Sequence, residues 1–253
     1  MRFAQSLEKS VRRFRDLFNP LVYMGNKFFC PVCRRRASRF KSAGSGYERR
    51  QNAVCPFCKS RERDRLTSLF FDKYPSLLEG NVGRLLHVAP EPALEPFFRK
   101  QFGQGYLSVD IYRRDVMETM DITDIHYPNN TFNAIFCSHV LQNIKNDRLA
   151  MEQIFRVLQP GAWAILNVPL RKLQSMQQES GLNKSSLLDP NRPDGRHRLY
   201  GEDYVPMLQS VGFEVEEYGP DDMEIESNLC SYGLAQPHTG YIHFCRKPLR
   251  DND

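Results

Sequence analysis

Apolar positions recur along the chain with two different periods, and the switch between them divides it. Phe3, Leu7, Val11, Phe14 and Phe18 are spaced by four, four, three and four residues, so they share one face of a helix. Arg2, Lys9, Arg12, Arg13 and Arg15 surround that face, and Asn19-Pro20 stops it. This predicts an amphipathic basic helix and linker over 1–27, packed on the protein body or lying on a membrane surface. Leu66, Leu69, Phe70 and Tyr74 mark a second helix within 61–78, ending near Pro75. From Gly83 onward, short apolar runs alternate with helical patterns. Strands are predicted over 84–89, 106–110, 132–138, 162–168, 213–218 and 241–246. A helix starts near Ala93, with Pro96 in its first turn, where a missing amide hydrogen costs nothing. Further helices span 147–158, closed by Pro160-Gly161, and 203–211, closed by Gly212. The segment 170–198 is polar and has no period. Strands alternating with helices predict a doubly wound α/β sheet over 79–248.

Composition limits the classes available. A chain of 253 residues that is 41% hydrophobic can bury a sizeable core, which excludes a fibrous or wholly disordered protein. No apolar run reaches the length of a membrane span, and no secretory h-region is visible. Seven cysteines, four of them in two tight pairs, suit thiolates on a metal in a reducing compartment, with cytoplasm the default. Charge is uneven. The first 65 residues carry 17 Lys and Arg against 5 Asp and Glu, and the remainder 18 against 25. A basic head on an acidic body suggests two units with different partners. The head is either a solvated face that compensates thiolates or a surface for an anion such as RNA, a phosphorylated substrate or lipid head groups.

The pairs are Cys30-Pro31-Val32-Cys33 and Cys55-Pro56-Phe57-Cys58, separated by 21 residues. Two such knuckles supply four thiolates to one tetrahedron, the arrangement of structural zinc. A module over 28–78 is expected, with Phe28, Phe29, Phe40, Tyr47 and Phe57 as its small core. A closed four-cysteine site has no open position and is structural. Cys137, Cys230 and Cys245 are expected as small core hydrophobes.

The first strand and its turn read L-L-H-V-A-P-E-P over 85–92, and the second strand ends at Asp110, 19 residues beyond Glu91. An acid there can accept both ribose hydroxyls of an adenosine-bearing cofactor. Then follow Met120-Asp121-Ile122-Thr123, the turn Pro128-Asn129-Asn130, the strand 132–138 running into His139-Val140-Leu141-Gln142-Asn143-Ile144, and Arg156-Val157-Leu158-Gln159-Pro160-Gly161. Over about 83–247 this run resembles the class I S-adenosylmethionine-dependent methyltransferases. The resemblance implies a Rossmann-like seven-stranded sheet with the last strand antiparallel. It implies a cofactor site of His87, Ala89 and Glu91 in the first turn, Asp110 and Ile111 at the ribose, Asp121 and Ile122 around the adenine, and Ser138. The first turn departs from the family, whose acid and glycines are replaced by His87, Ala89, Glu91 and Ala93. Either Glu91 supplies the missing acid to the cofactor's ammonium group, or the site binds without catalysis. His87 is either part of that site or a hydrogen-bonded core histidine.

Methyl transfer to oxygen or nitrogen needs orientation and a base. His139, directly after the predicted strand 132–138, and His197, in the charged stretch 194–200, are the candidates. Their alternatives are a cofactor-pocket hydrogen bond and a helix-entry residue. Arg171, Lys172, Arg192, Arg196 and Arg198 make 170–198 a basic lid suited to a phosphate- or carboxylate-bearing acceptor. The leading reading is methylation of a small polar molecule, a sugar or nucleotide-linked metabolite. RNA methylation through the basic zinc module and a catalytically inactive binding protein are the alternatives.

Overall fold

The computed structural model describes residues 18–44, 49–79, 83–170, 187–188, 198–223, 229–234 and 239–249. The helix expected over 1–18, apart from Phe18, lies outside them, as do Tyr47, His197 and most of 170–198. The chain divides into two compact units. One comprises Met1–Pro75, Pro92–Leu94 and Pro220–Thr239, and the other Ser76–Glu91, Glu95–Gly219 and Gly240–Asp253. The segment Pro220–Thr239, read from the sequence as part of the α/β domain, thus belongs with the N-terminal unit.

In the first unit a short helix α1 (Asn19–Val22) precedes two hairpins, β1 (Phe28–Cys30) with β2 (Arg35–Ala37), and β3 (Lys41–Ala43) with β4 (Arg50–Val54), both antiparallel. Helix α2 (Glu62–Lys73) follows. The Asp64 carboxylate accepts from the Arg61 amide at 2.8 Å, and acids fill its first turn, as the helix dipole favours. The helix ends just before Pro75, as expected, and a separate 3₁₀ turn, Pro75–Leu77, follows. Arg65 is fully buried. Its guanidinium donates to the carbonyls of Tyr232 (2.7 Å), Ala53 (3.0 Å), Ser60 (3.0 Å) and Gly233 (3.2 Å). One side chain therefore ties α2, the second knuckle and the distant segment 229–234 together. Cys230 is exposed, in the 3₁₀ turn Leu229–Tyr232, and is no core residue, whereas Cys137 and Cys245 are buried as expected.

The second unit is built on β5 (Leu85–Val88), α3 (Glu95–Phe102), β6 (Tyr106–Asp110), β7 (Glu118–Thr119), β8 (Phe132–Ser138), α4 (Asp147–Val157), β9 (Leu158–Asn167), β10 (Leu187–Leu188), β11 (Arg198–Leu199), α5 (Tyr204–Val211), β12 (Glu214–Tyr218) and β13 (Ile242–Arg246). Seven strands form one sheet in the order β12-β13-β9-β8-β5-β6-β7. The run β9-β8-β5-β6-β7 is parallel, and β13 is antiparallel to both its neighbours. Central parallel strands are covered on both faces, so β5 and β8 read as near-continuous apolar runs. Strand β9 begins four residues before the predicted strand. Phe132 pairs with Leu158, and the Gly161 amide donates to the Lys247 carbonyl at 2.7 Å, so Pro160-Gly161 lies inside the strand. Gly212 caps α5 at φ +115°, as expected, where a Cβ would lie 2.9 Å from the Phe155 ring.

Candidate active site

The carboxyl ends of β5, β6 and β8 lie side by side, so the turns that follow them converge. With the loop over Met120–Thr123 they line a cavity of about 490 Å³, the size of a cofactor pocket. Of the residues singled out from the sequence, Ala89, Asp110, Ile111, Asp121, Ile122 and His139 line it. His87, Glu91 and Ser138 do not.

Asp110 closes β6. Its Oδ1 accepts from the amides of Tyr112 (2.7 Å) and Arg113 (2.9 Å), which shapes the loop. Its Oδ2 has no partner among the described residues, so one carboxylate oxygen remains for a ligand. Asp121 binds its own turn through Oδ1, accepting from the Thr123 amide and hydroxyl, both at 2.8 Å. Ile122 is buried and forms an apolar wall. His139 follows β8 directly, its amide donating to the Asn167 carbonyl at 2.7 Å and its own carbonyl accepting from Gln142 at 2.6 Å. Ser138 is buried behind it, with Oγ 3.4 Å from His139 Nδ1.

Two wall residues hold left-handed backbone without being glycine: Ala89 at φ +48° and His139 at φ +59°. Such residues are uncommon and concentrate at functional edges. The Ala89 amide donates to the Val109 carbonyl at 2.8 Å, and Arg113 Nη1 donates to the Pro90 carbonyl at 2.6 Å, so the turn is fixed from both sides. His87, at the family's acid position, is fully buried and hydrogen-bonded to Tyr106 and Glu91 at 3.0 Å each. Tyr112 and Lys145 also line the cavity. Sequence reading missed both because they sit on loops, where no period marks them.

The four knuckle cysteines come together in the first unit. All four sulfurs lie within 4.8 Å of one another, with Cys30–Cys58 at 3.6 Å and Cys33–Cys55 at 3.8 Å. With metal–sulfur bonds of about 2.3 Å, a tetrahedron has edges of about 3.8 Å, so the cluster fits a zinc-sized ion. Cys30 and Cys55 are buried beside Phe28, Ala37 and Phe40, while Cys33 and Cys58 are half-buried. Hydrogen bonding from Cys33 pulls the Cys30 thiol down, and Cys30 in turn pushes the thiols of Cys33 and Cys55 up. If all four are to be thiolates this close together, a cation must lie between them, so the cluster could hold a metal ion.

Residues 46–218 match a family model described as a methyltransferase domain. No curated protein matches the sequence significantly. Among solved structures, the [4+2]-cyclase SpnF superposes with a TM-score of 0.51 at 18% identity, covering 95% of this chain and 96% of its own. An S-adenosylmethionine-dependent methyltransferase from Mesorhizobium loti (TM-score 0.47, 13% identity, 69% and 97% covered) is also similar. So is a SAM-dependent methyltransferase from Archaeoglobus fulgidus (0.47, 13%, 72% and 93%). Fold alone does not name the chemistry, as the cyclase illustrates. The family model spans more than half of the sequence and carries the assignment: the chain belongs to the class I S-adenosylmethionine-dependent methyltransferases.

Proposed function

We propose that the cavity holds S-adenosylmethionine and that the chain methylates a small polar molecule, such as a sugar or nucleotide-linked metabolite. The observation that carries this is Asp110. It lines the cavity at the end of the second parallel strand, and its Oδ2, without a partner among the described residues, can accept ribose hydroxyls. Ile122 offers the adenine an apolar wall, with Asp121 at its edge and Ile111 beside the ribose. Glu91 supplies a carboxylate for the ammonium end. When bound, the sulfonium cofactor supplies an electrophilic methyl group. His139, on the cavity wall, takes the proton that an oxygen or nitrogen acceptor loses. His197, outside the described residues, is the other candidate base. The cysteine cluster holds structural Zn²⁺, and a reducing, cytoplasmic setting suits it.

Asp110→Ala should weaken S-adenosylmethionine binding by about 2–3 kcal/mol, as for loss of a charged hydrogen-bond partner. Calorimetry measures this, and an unchanged affinity would remove Asp110 from the site. Transfer of labelled methyl groups to cell-extract fractions, split into RNA and small molecules, identifies the acceptor class. Label in neither pool, with the cofactor bound, would favour an inactive binding protein.

One observation favours RNA as a second reading. The guanidinium groups of Arg35, Arg36 and Arg39 lie over the rings of Phe57 (5.4 Å), Phe29 (5.4 Å) and Tyr23 (5.7 Å), without a carboxylate partner among the described residues. Cations and rings so interleaved suit single-stranded nucleic acid. RNA binding that falls steeply with salt would support it.

A further inference from the structure

The imidazole of His87 sits in β5 with no exposure to water. The rings of Phe98 and Phe136 meet it edge-on, with centroids at 5.1 and 5.3 Å. Its two nitrogens each have one partner, the Tyr106 hydroxyl at Nδ1 and Glu91 Oε2 at Nε2, both 3.0 Å away. A carboxylate oxygen can only accept, so Nε2 carries the imidazole hydrogen and donates to Glu91, which leaves Nδ1 to accept from the Tyr106 hydroxyl. Glu91 is itself buried, and its Oε1 has no partner among the described residues. A buried carboxylate with one donor is under-satisfied and favours a cation at its other oxygen. Glu91 stands two residues beyond cavity-lining Ala89, in a turn whose two prolines leave the chain few conformations.

We infer that Tyr106 and His87 are positioning residues: as a buried chain of hydrogen bonds they orient Glu91 so that its free oxygen receives the primary ammonium group of the amino-acid part of the cofactor. This rests on the reading of the cavity as the S-adenosylmethionine site. It adds a device, an oriented carboxylate carried by a histidine, where a purely structural His87 would only fill space. The alternative, a core histidine serving stability alone, predicts no ligand selectivity.

The test is calorimetry on the full chain with S-adenosylmethionine, S-adenosylhomocysteine and 5′-methylthioadenosine, the last lacking the ammonium group. His87→Phe keeps the ring and removes both hydrogen bonds. It should weaken the first two ligands about tenfold and leave the third unchanged. His87→Gln, whose amide can donate to Glu91, should recover most of the loss. Tyr106→Phe removes only the far hydroxyl and should give a smaller loss with the same selectivity. It also carries the test if His87→Phe shows no cooperative melting. Equal losses for all three ligands, or none in either the His87 or the Tyr106 variant, would overturn the inference. If Asp110→Ala weakens binding while these variants behave as wild type, the inference alone fails. If the wild-type chain binds none of the three, the cavity assignment fails with it.

Discussion

At the scale of single residues, the cavity wall shows where this chain departs from a low-strain backbone. Ala89 holds φ at +48°, a conformation in which an L side chain costs roughly 1–2 kcal/mol. Glycine at this position would remove that cost but add roughly 0.4–1 kcal/mol of unfolded-chain entropy. Ala89→Gly should therefore leave stability unchanged or raise it by up to about 1.6 kcal/mol, read from denaturant midpoints. A clear loss of stability would instead mean that the methyl group makes a contact the backbone argument overlooks. The carboxylate two residues on gives a sharper outcome. Glu91→Gln keeps the shape and removes the charge, so it should weaken S-adenosylmethionine and S-adenosylhomocysteine alike and spare 5′-methylthioadenosine. Equal losses across the three would make Glu91 a folding residue only.

At the scale of elements, two features hold pieces of chain that are far apart in sequence. In the first unit the five carbonyls that receive Arg65, Asn52 included, come from three separate segments. Arg65→Met fills similar volume but leaves those acceptors buried and unmet. It should destabilise the unit by about 3 kcal/mol, since each buried group left without a partner costs about 1–3 kcal/mol and part of the shell will relax. Chemical denaturation tests this, and a change under 1 kcal/mol would show that water replaces the guanidinium. In the second unit, α5 ends at Gly212 in the left-handed region, hard against the Phe155 ring of α4. Gly212→Ala meets both the backbone cost and that ring, so a loss of about 1–2 kcal/mol is expected.

At the scale of the whole molecule, the two units are stabilised by different means. The first has a small core of Phe28, Cys30, Ala37, Phe40 and Cys55 around its sulfur cluster. Small modules of this kind draw much of their folding free energy from the metal. The second has a large core of buried side chains from a seven-stranded sheet and the elements packed on it. Cys33→Ser or Cys55→Ser should abolish a stoichiometric zinc signal in elemental analysis and unfold the first unit. S-adenosylmethionine binding at the cavity should persist. Zinc-free wild-type protein, purified without chelator, would refute the metal assignment. Loss of cofactor binding in the cysteine variants would show that the sheet unit does not stand without the module.

Much of this was written in local pattern. Parallel strands buried on both faces are apolar throughout, so β5, β6 and β8 stood out, and the spacing of two Cys-x-x-Cys pairs named the cluster before any sulfur was placed. Asp110 was legible because it ends such a strand. Strand β7 was not, because it is two exposed residues at a sheet edge, held by pairing to Val109 and Asp110 rather than by any periodicity of its own. The start of β9 was misread because Pro160-Gly161 signals a turn locally, while hydrogen bonds to Lys247, 86 residues away, make it strand. Arg65 looked like one more cation of a basic head and proved to be the buried tie of its unit. His87 was open between a site residue and a hydrogen-bonded core histidine, and its bonds to Tyr106 and Glu91 came to light only in the fold. Periodicity and spacing are properties of neighbours in sequence, and they decided most of the elements, the sheet class and the cysteine cluster. Which charge is buried, which carboxylate oxygen is left for a ligand and which distant segment joins which unit depend on contacts between residues far apart in the chain, so only the tertiary structure decided them.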